Sequence, residues 1–220
     1  MQIISTLGQK GGSGKSSMAL GLAVQAAMKG RSVAVIDLDP QTTAANWSDR
    51  RGKDSPAVVS CQVSRLPSVL DTARNGGVDL AIVDTPGKST DALIAAAKVA
   101  DFCLMPIQPQ LFDIETLDNL RDVLTLAGNP PASVLINRAP IQGRRHTEAC
   151  EILRSRGYDV CPVVMFARAA HGDSGNVGQT AAEFDPKGKA ADEMLALYNY
   201  INIRLQGDKN GKVKSTRSRS

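Results

Sequence analysis

The stretch Gln9-Lys10-Gly11-Gly12-Ser13-Gly14-Lys15-Ser16-Ser17 gathers three glycines, two lysines and a run of hydroxyls into nine residues. Glycines at 11, 12 and 14 let a backbone bend tightly and approach an anion closely. Inward-facing N–H groups and the positive end of a helix beginning near Ser16 would complete a phosphate cradle. Lys15 is placed to reach β- and γ-phosphates, and the Ser16 hydroxyl to ligate Mg²⁺. Lys10 is a second lysine, five residues earlier, where one ammonium already serves a triphosphate bound in its own loop. The general phosphate-loop pattern begins with glycine at the position held here by Gln9.

Two acidic segments could complete such a site. Asp37-Leu38-Asp39-Pro40-Gln41 ends an apolar run. Residues two apart on a strand face the same way, so both carboxylates could address the phosphates. They become tolerable together beside a cation, which Mg-ATP supplies, although either could instead cap the helix that follows. Leu80-Ala81-Ile82-Val83-Asp84 is another apolar run ending in an acid, suited to hold the magnesium shell from the second side. Thr85-Pro86-Gly87 then makes a turn able to sense a γ-phosphate.

These residues need a scaffold that brings strand ends together, and the pattern supplies one. Strands are expected at 2–7, 32–38, 57–63, 79–84, 102–107, 132–137 and 160–165. Helices are expected at 16–29, 41–50, 66–74, 89–98, 114–127, 144–156 and 187–205. Buried strands alternating with helices mean an α/β fold, an open and mostly parallel sheet covered on both faces, with ligands beyond the carboxyl ends of the strands. With 42% hydrophobic and 4% aromatic residues, the core rests on Ala, Val, Leu and Ile. No repeat or internal linker interrupts residues 1–206, which read as one domain.

The net charge of +4 is concentrated at one end. Residues 1–206 hold 21 basic and 21 acidic side chains, and residues 207–220 carry five basic against one acidic. That Gly/Ser-rich segment, with Val213 its one apolar residue, is expected to stay unfolded and to attract polyanions. Cys61, Cys103, Cys150 and Cys161 form no CxxC pair, and a strand opens the chain with no secretory signal before it, so they read as reduced thiols of a cytoplasmic protein. No apolar run approaches the roughly 18 residues that span a bilayer.

Lys10–Ser17, Asp37–Gln41 and Ile82–Gly87 (KGGSGKSS, DLDPQ, IVDTPG) together resemble the ParA/MinD family of deviant phosphate-loop ATPases, and most of all its smaller partition ATPases. The likeness extends from Gln2 to about Leu205. It implies a P-loop ATPase fold, ATP and Mg²⁺ as ligands, and a nucleotide-binding loop of Gly11, Gly12, Ser13, Gly14, Lys15, Ser16 and Ser17. Lys10 corresponds to the family's signature lysine, which crosses to the nucleotide of the other subunit in an ATP-bound homodimer. Asp39 corresponds to the acid orienting the attacking water, Asp37 to its neighbour near magnesium, and Asp84 to the acid holding the metal through water. Met105–Pro109 matches a proline-bearing loop, Asn137 and Arg138 the adenine contacts, and Met165–Arg168 a further stretch near the base.

The family further implies ATP-dependent, sequence-independent DNA binding, a nucleoid-associated location, and a small ParB-like or centromere-binding protein that stimulates hydrolysis. The chain opens on its first strand, so no helix-turn-helix domain is expected. A positioning ATPase for a protein cluster or conjugation complex fits as well. A MinD-like membrane ATPase fits less, because the end of the chain is Lys, Arg, Ser and Gly rather than an amphipathic helix. A cluster-bearing or kinase relative lacks the expected cysteines or tyrosines, a ligase-type relative on the same fold stays open as a minor alternative, and the presence of Lys15, Ser16, Asp39 and Asp84 gives no reason to prefer a scaffold that has lost hydrolysis.

Overall fold

The computed structural model describes the backbone of residues 1–217 and the side chains of residues 1–207. Seven strands, β1 (Gln2–Thr6), β2 (Val33–Asp37), β3 (Ala57–Ser60), β4 (Leu80–Asp84), β5 (Phe102–Ile107), β6 (Ala132–Ala139) and β7 (Val160–Phe166), form one sheet in the order β3-β2-β4-β1-β5-β6-β7. Every pairing is parallel, so the sheet goes beyond the mostly parallel expectation.

The helices are α1 (Lys15–Met28), α2 (Thr43–Arg51), α3 (Leu66–Asn75), α4 (Thr90–Val99), α5 (Leu111–Leu126), α6 (Arg145–Ser155), α7 (Ala169–Asn176), α8 (Ala181–Phe184) and α9 (Lys189–Arg217). One core layer packs α3 to α6 on one face through residues such as Leu66, Leu93, Leu117 and Leu153. The other packs α1, α2 and α9 through Met18, Leu22, Trp47, Met194 and Ile201. Alternate residues of each strand feed one layer or the other, which is why the strands read as unbroken apolar runs.

Three local differences from the sequence expectation have physical reasons. The third strand stops at Ser60 and gives way to a 3₁₀ turn at Val63–Arg65, since it is a half-exposed edge strand with one neighbour. Helix α5 begins at Leu111, with Phe112 exposed, and Asp113 in its first turn favours the earlier start. Helices α7 and α8 were not anticipated. Gly172, Gly175 and Gly178 blur their periodicity, and α8 is a single turn held by a capping box between Thr180 and Glu183. The backbone of α9 continues through Arg217, past residue 207 where the sequence places an unfolded segment; side chains from residue 208 on and all of residues 218–220 lie outside the described residues.

Candidate functional site

The apolar rows of the sheet turn polar at one edge. Thr6, Asp84 and Asp37 are register partners across β1, β4 and β2. They sit two residues beyond Ile4, Ile82 and Val35 and share the face that packs against α1. The loop from β1 to α1 arches over this row.

Helix α1 starts on Gly14, at φ 97°, with no side-chain cap and no acid in its first turn. Its leading N–H groups are thereby left for an anion. A Cβ on Gly14 would lie 2.1 Å from the Asn137 amide nitrogen, so both φ and space demand glycine. That nitrogen donates to the Ser13 carbonyl at 2.7 Å, and Asn137 is buried. The end of β6 therefore braces the loop. Gly87 braces it from β4, because a Cβ there would sit 3.2 Å from the Gly11 nitrogen. Thr85 fixes the turn between them by donating to the Thr6 carbonyl at 2.6 Å.

Lys15 is buried, and its ammonium donates to the Lys10 carbonyl at 3.2 Å. Burial lowers its pKa, opposed by the charges of Asp84 and Asp39. Asp84 is fully buried, and burial pushes its carboxyl up to about 7; the Asp37 charge adds to the rise, while Ser16, Thr6 and Lys15 oppose it. Its Oδ1 accepts from Thr6 Oγ1 at 3.1 Å, and its Oδ2 has no hydrogen-bond partner. A buried, unpartnered carboxylate oxygen beside Ser16 fits a hydrated Mg²⁺. Ser16 and Asp84 would hold that ion, whose charge would offset the phosphates' negative charge.

Asp37 is turned elsewhere. Its Oδ1 accepts the Asp39 N–H at 2.9 Å, and its Oδ2 accepts the Ala44 N–H at 3.0 Å, so it caps α2 from outside that helix. Burial raises its pKa. Both oxygens are taken, and the free acid oxygen near the expected metal belongs to Asp84. Asp39 is half-buried, and its Oδ1 accepts from the Gln41 N–H at 2.9 Å. It lines a cavity of about 950 Å³ with Gly11, Gln41, Cys61, Gly87 and Lys88.

A second cavity of about 660 Å³ opens on the other side of Ser16 and Ser17. Trp47, Asn137, Arg138, Phe166, Arg168 and His171 line it. Arg138 sits at a bulge of β6 with φ 51°, a left-handed backbone that Thr42 and Asn129 share. Arg168 is paired with Glu193 at 2.7 Å, and the Asn137 amide nitrogen is committed to the loop.

Sequence reasoning missed Asp113, the buried acid that receives the Lys10 ammonium. It also missed Trp47, Arg51, His171 and Glu183. The signal for Asp113 was an acid just after Pro109 at a helix start; the others carry none that is local.

A parallel sheet with a glycine loop, a buried lysine and a strand-end aspartate around one edge defines a phosphate-loop nucleotide-binding protein. Residues 4–180 match the family model of the CobQ/CobB/MinD/ParA nucleotide binding domain, and the chain belongs to that family. It is 30% identical over 210 residues to the maintenance of carboxysome distribution protein A of Gloeobacter kilaueensis, covering 94% of this chain and 95% of that one. It is 26% identical to the chromosome-partitioning ATPase Soj of Thermus thermophilus, covering 92% and 96%. Its fold is shared with the MinC:MinD cell division protein complex of Aquifex aeolicus, at TM-score 0.76 and 16% identity over 91% of this chain and 95% of that one. The chain is thus a ParA/MinD-class ATPase of the partition or positioning kind, and ATP with Mg²⁺ is the ligand of that class. No helix among the described residues is long and apolar enough to cross a membrane.

Proposed function

We propose that this chain is a ParA-type ATPase whose ATP-bound homodimer binds DNA without sequence preference, and that hydrolysis, stimulated by a small ParB-like partner, releases it to move DNA cargo. Lys10 carries this reading. It stands on the rim of the loop, its side chain 43% exposed, while Lys15 alone is buried at the phosphate cradle. An exposed ammonium on that rim can reach a second nucleotide across a two-fold axis. In the single chain it rests on Asp113, so crossing requires it to leave that acid.

Lys15 neutralises the β- and γ-phosphates, the α1 N–H groups hold their oxygens, and Asp39 orients the attacking water. Gly87 and Thr85 tie the turn after β4 to the loop backbone, which lets loss of a γ-phosphate reach the surface. Basic side chains for DNA lie around α6, where Arg144, Arg145, Arg154 and Arg156 are exposed. Such contacts need only face phosphates, so binding must fall steeply with salt.

The test is retention of duplex DNA with ATP and with ADP, alongside the protein's mass by light scattering. A dimer and salt-sensitive DNA binding with ATP alone are expected. Equal retention with both nucleotides, or a monomer throughout, would sink the proposal. A protein-cluster cargo is the second reading, favoured by the carboxysome-distribution relative. It keeps the dimer and makes DNA the surface on which the cargo moves.

A further inference from the structure

Helix α2 is fastened along its last turn to the α7–α8 segment, 125 to 132 residues further along the chain. The Arg51 side chain is only 5% exposed. Its Nη1 and Nη2 donate to the two Glu183 oxygens at 2.7 and 2.8 Å. Nη1 also donates to the Gly178 carbonyl at 3.2 Å, and Nε to the Ser55 carbonyl at 2.9 Å. The guanidinium lies 4.9 Å over the Trp47 ring, whose Nε1 donates to the Gln179 carbonyl at 3.0 Å. Gly178, at φ 66°, has no room for a side chain, because a Cβ would lie 2.3 Å from the Arg51 nitrogen. Glu183 also accepts the Thr180 N–H at 3.2 Å, closing the α8 capping box.

Both halves of this clamp line the 660 Å³ cavity. Helix α2 supplies Thr43, Trp47 and Arg50, and α7 supplies Ala169, His171 and Gly175. The opposite end of α2 is held by Asp37 at the Ala44 N–H, and the same carboxylate holds the Asp39 N–H. A nine-residue helix is stiff on this scale, so what fixes one end also fixes the other. A bidentate arginine–carboxylate pair fixes orientation as well as distance.

We propose that Arg51 and Glu183 are positioning residues that couple the 660 Å³ cavity to the Asp39 loop. The pair ties α2 to α8, beside the Arg50 contact to Gly175 of α7, and through α2 it sets the place of Asp39. The inference rests on this cavity being the seat of the nucleoside. A base lodged between α2 and α7 then presses on the helix that carries the hydrolytic loop, whereas a bare phosphate chain does not.

The test uses Glu183→Gln, which keeps the capping-box acceptor and removes the charge, and Arg51→Lys, which keeps the charge and loses the fork. Affinities for ATP and for inorganic tripolyphosphate are measured by calorimetry, with kcat and KM for ATP. In the wild type ATP binds more tightly than tripolyphosphate. In both variants that preference falls by at least about fivefold, and kcat at saturating ATP falls similarly, while tripolyphosphate affinity holds. If Arg51→Lys does not fold, Glu183→Gln decides. Variants that melt earlier yet keep the preference and kcat show a merely structural clamp and overturn the inference. A wild type without any preference overturns both the nucleoside seat and the clamp; a wild-type preference that both variants retain overturns the clamp alone.

Discussion

The Lys10 ammonium is paired with the Asp113 carboxylate, 103 residues away, and the acid is buried while the lysine is half in solvent. The other Asp113 oxygen accepts the Gln108 N–H at 3.0 Å. The Lys10 carbonyl meanwhile receives the Lys15 ammonium. Residue 10 thus serves its own site with its backbone and keeps its charge at the rim. Lys10→Ala should leave ATP affinity within about threefold, because no own-site phosphate contact is lost, yet abolish ATP-dependent dimerisation and lower turnover by about 100-fold. Light scattering and phosphate release check this, and a mutant that dimerises normally leaves Lys10 without a cross-subunit role.

Asp113→Asn tests the other half of the pair. Removing the acid frees the lysine without leaving a buried charge behind, since the amide oxygen can still accept from Gln108. The dimer should then form with ATP at a protein concentration lower by about 5- to 10-fold, read by sedimentation at several concentrations. An unchanged midpoint would mean that the pair does not hold the monomer.

Asp39→Ala should spare ATP binding and reduce phosphate release by at least about 100-fold, the usual scale of a lost water-orienting base. Filter binding and a phosphate sensor separate the two effects. Normal turnover in this mutant would move the water-orienting role elsewhere on the 950 Å³ cavity, where Gln41 is the nearest alternative in the chain.

Gly14→Ala should abolish nucleotide binding even where the protein folds. The new Cβ meets the Asn137 amide nitrogen, and φ 97° is strained for any L side chain. Asn137→Ala should be milder. It leaves the Ser13 carbonyl without its donor, at a cost of about 1–3 kcal/mol, and should weaken ATP binding about tenfold by loosening the loop. Calorimetry on both variants orders them, and the reverse order would remove the brace from this account.

What could be read in the chain beforehand was what its neighbours in sequence decide. The glycine loop, the strand-end acids and the alternation of strand with helix rest on local spacing, and seven strands form in the expected places, the third cut short at Ser60. The uses of Asn137 and Asp113 depend on partners 124 and 103 residues away, and no local pattern encodes those, whereas capping of the following helix was one of the two uses that the place of Asp37 allowed. Asp37 and Asp39 look alike in sequence and both line the 950 Å³ cavity, yet only Asp37 caps α2. Helices α7 and α8 escaped for a related reason. Their glycine-rich sequence has little periodicity, and α2 holds them through Arg51 and Trp47.

The buried row Thr6–Asp84–Asp37 makes stability without metal depend on pH in a direction that can be stated. Burial raises the folded-state pKa of Asp84 from 3.8 to about 7 and raises that of Asp37 as well. Between those values the folded protein holds a proton that the unfolded chain has released, so stability falls as pH rises from about 4 to about 7. The contribution is intact below the unfolded pKa and is lost once the pH passes the folded one. In chelator-containing buffer the apo protein should therefore melt several degrees lower at pH 8 than at pH 5.5. Asp84→Asn should flatten that slope, because the amide is neutral throughout. Adding Mg-ATP at pH 8 should recover the loss in the wild type more than in Asp84→Asn, since a cation near the unpartnered Oδ2 favours the charged form. Melting curves at the two pH values, with and without Mg-ATP, decide it, and a wild type whose slope matches that of Asp84→Asn would mean the buried carboxyl does not titrate in this range.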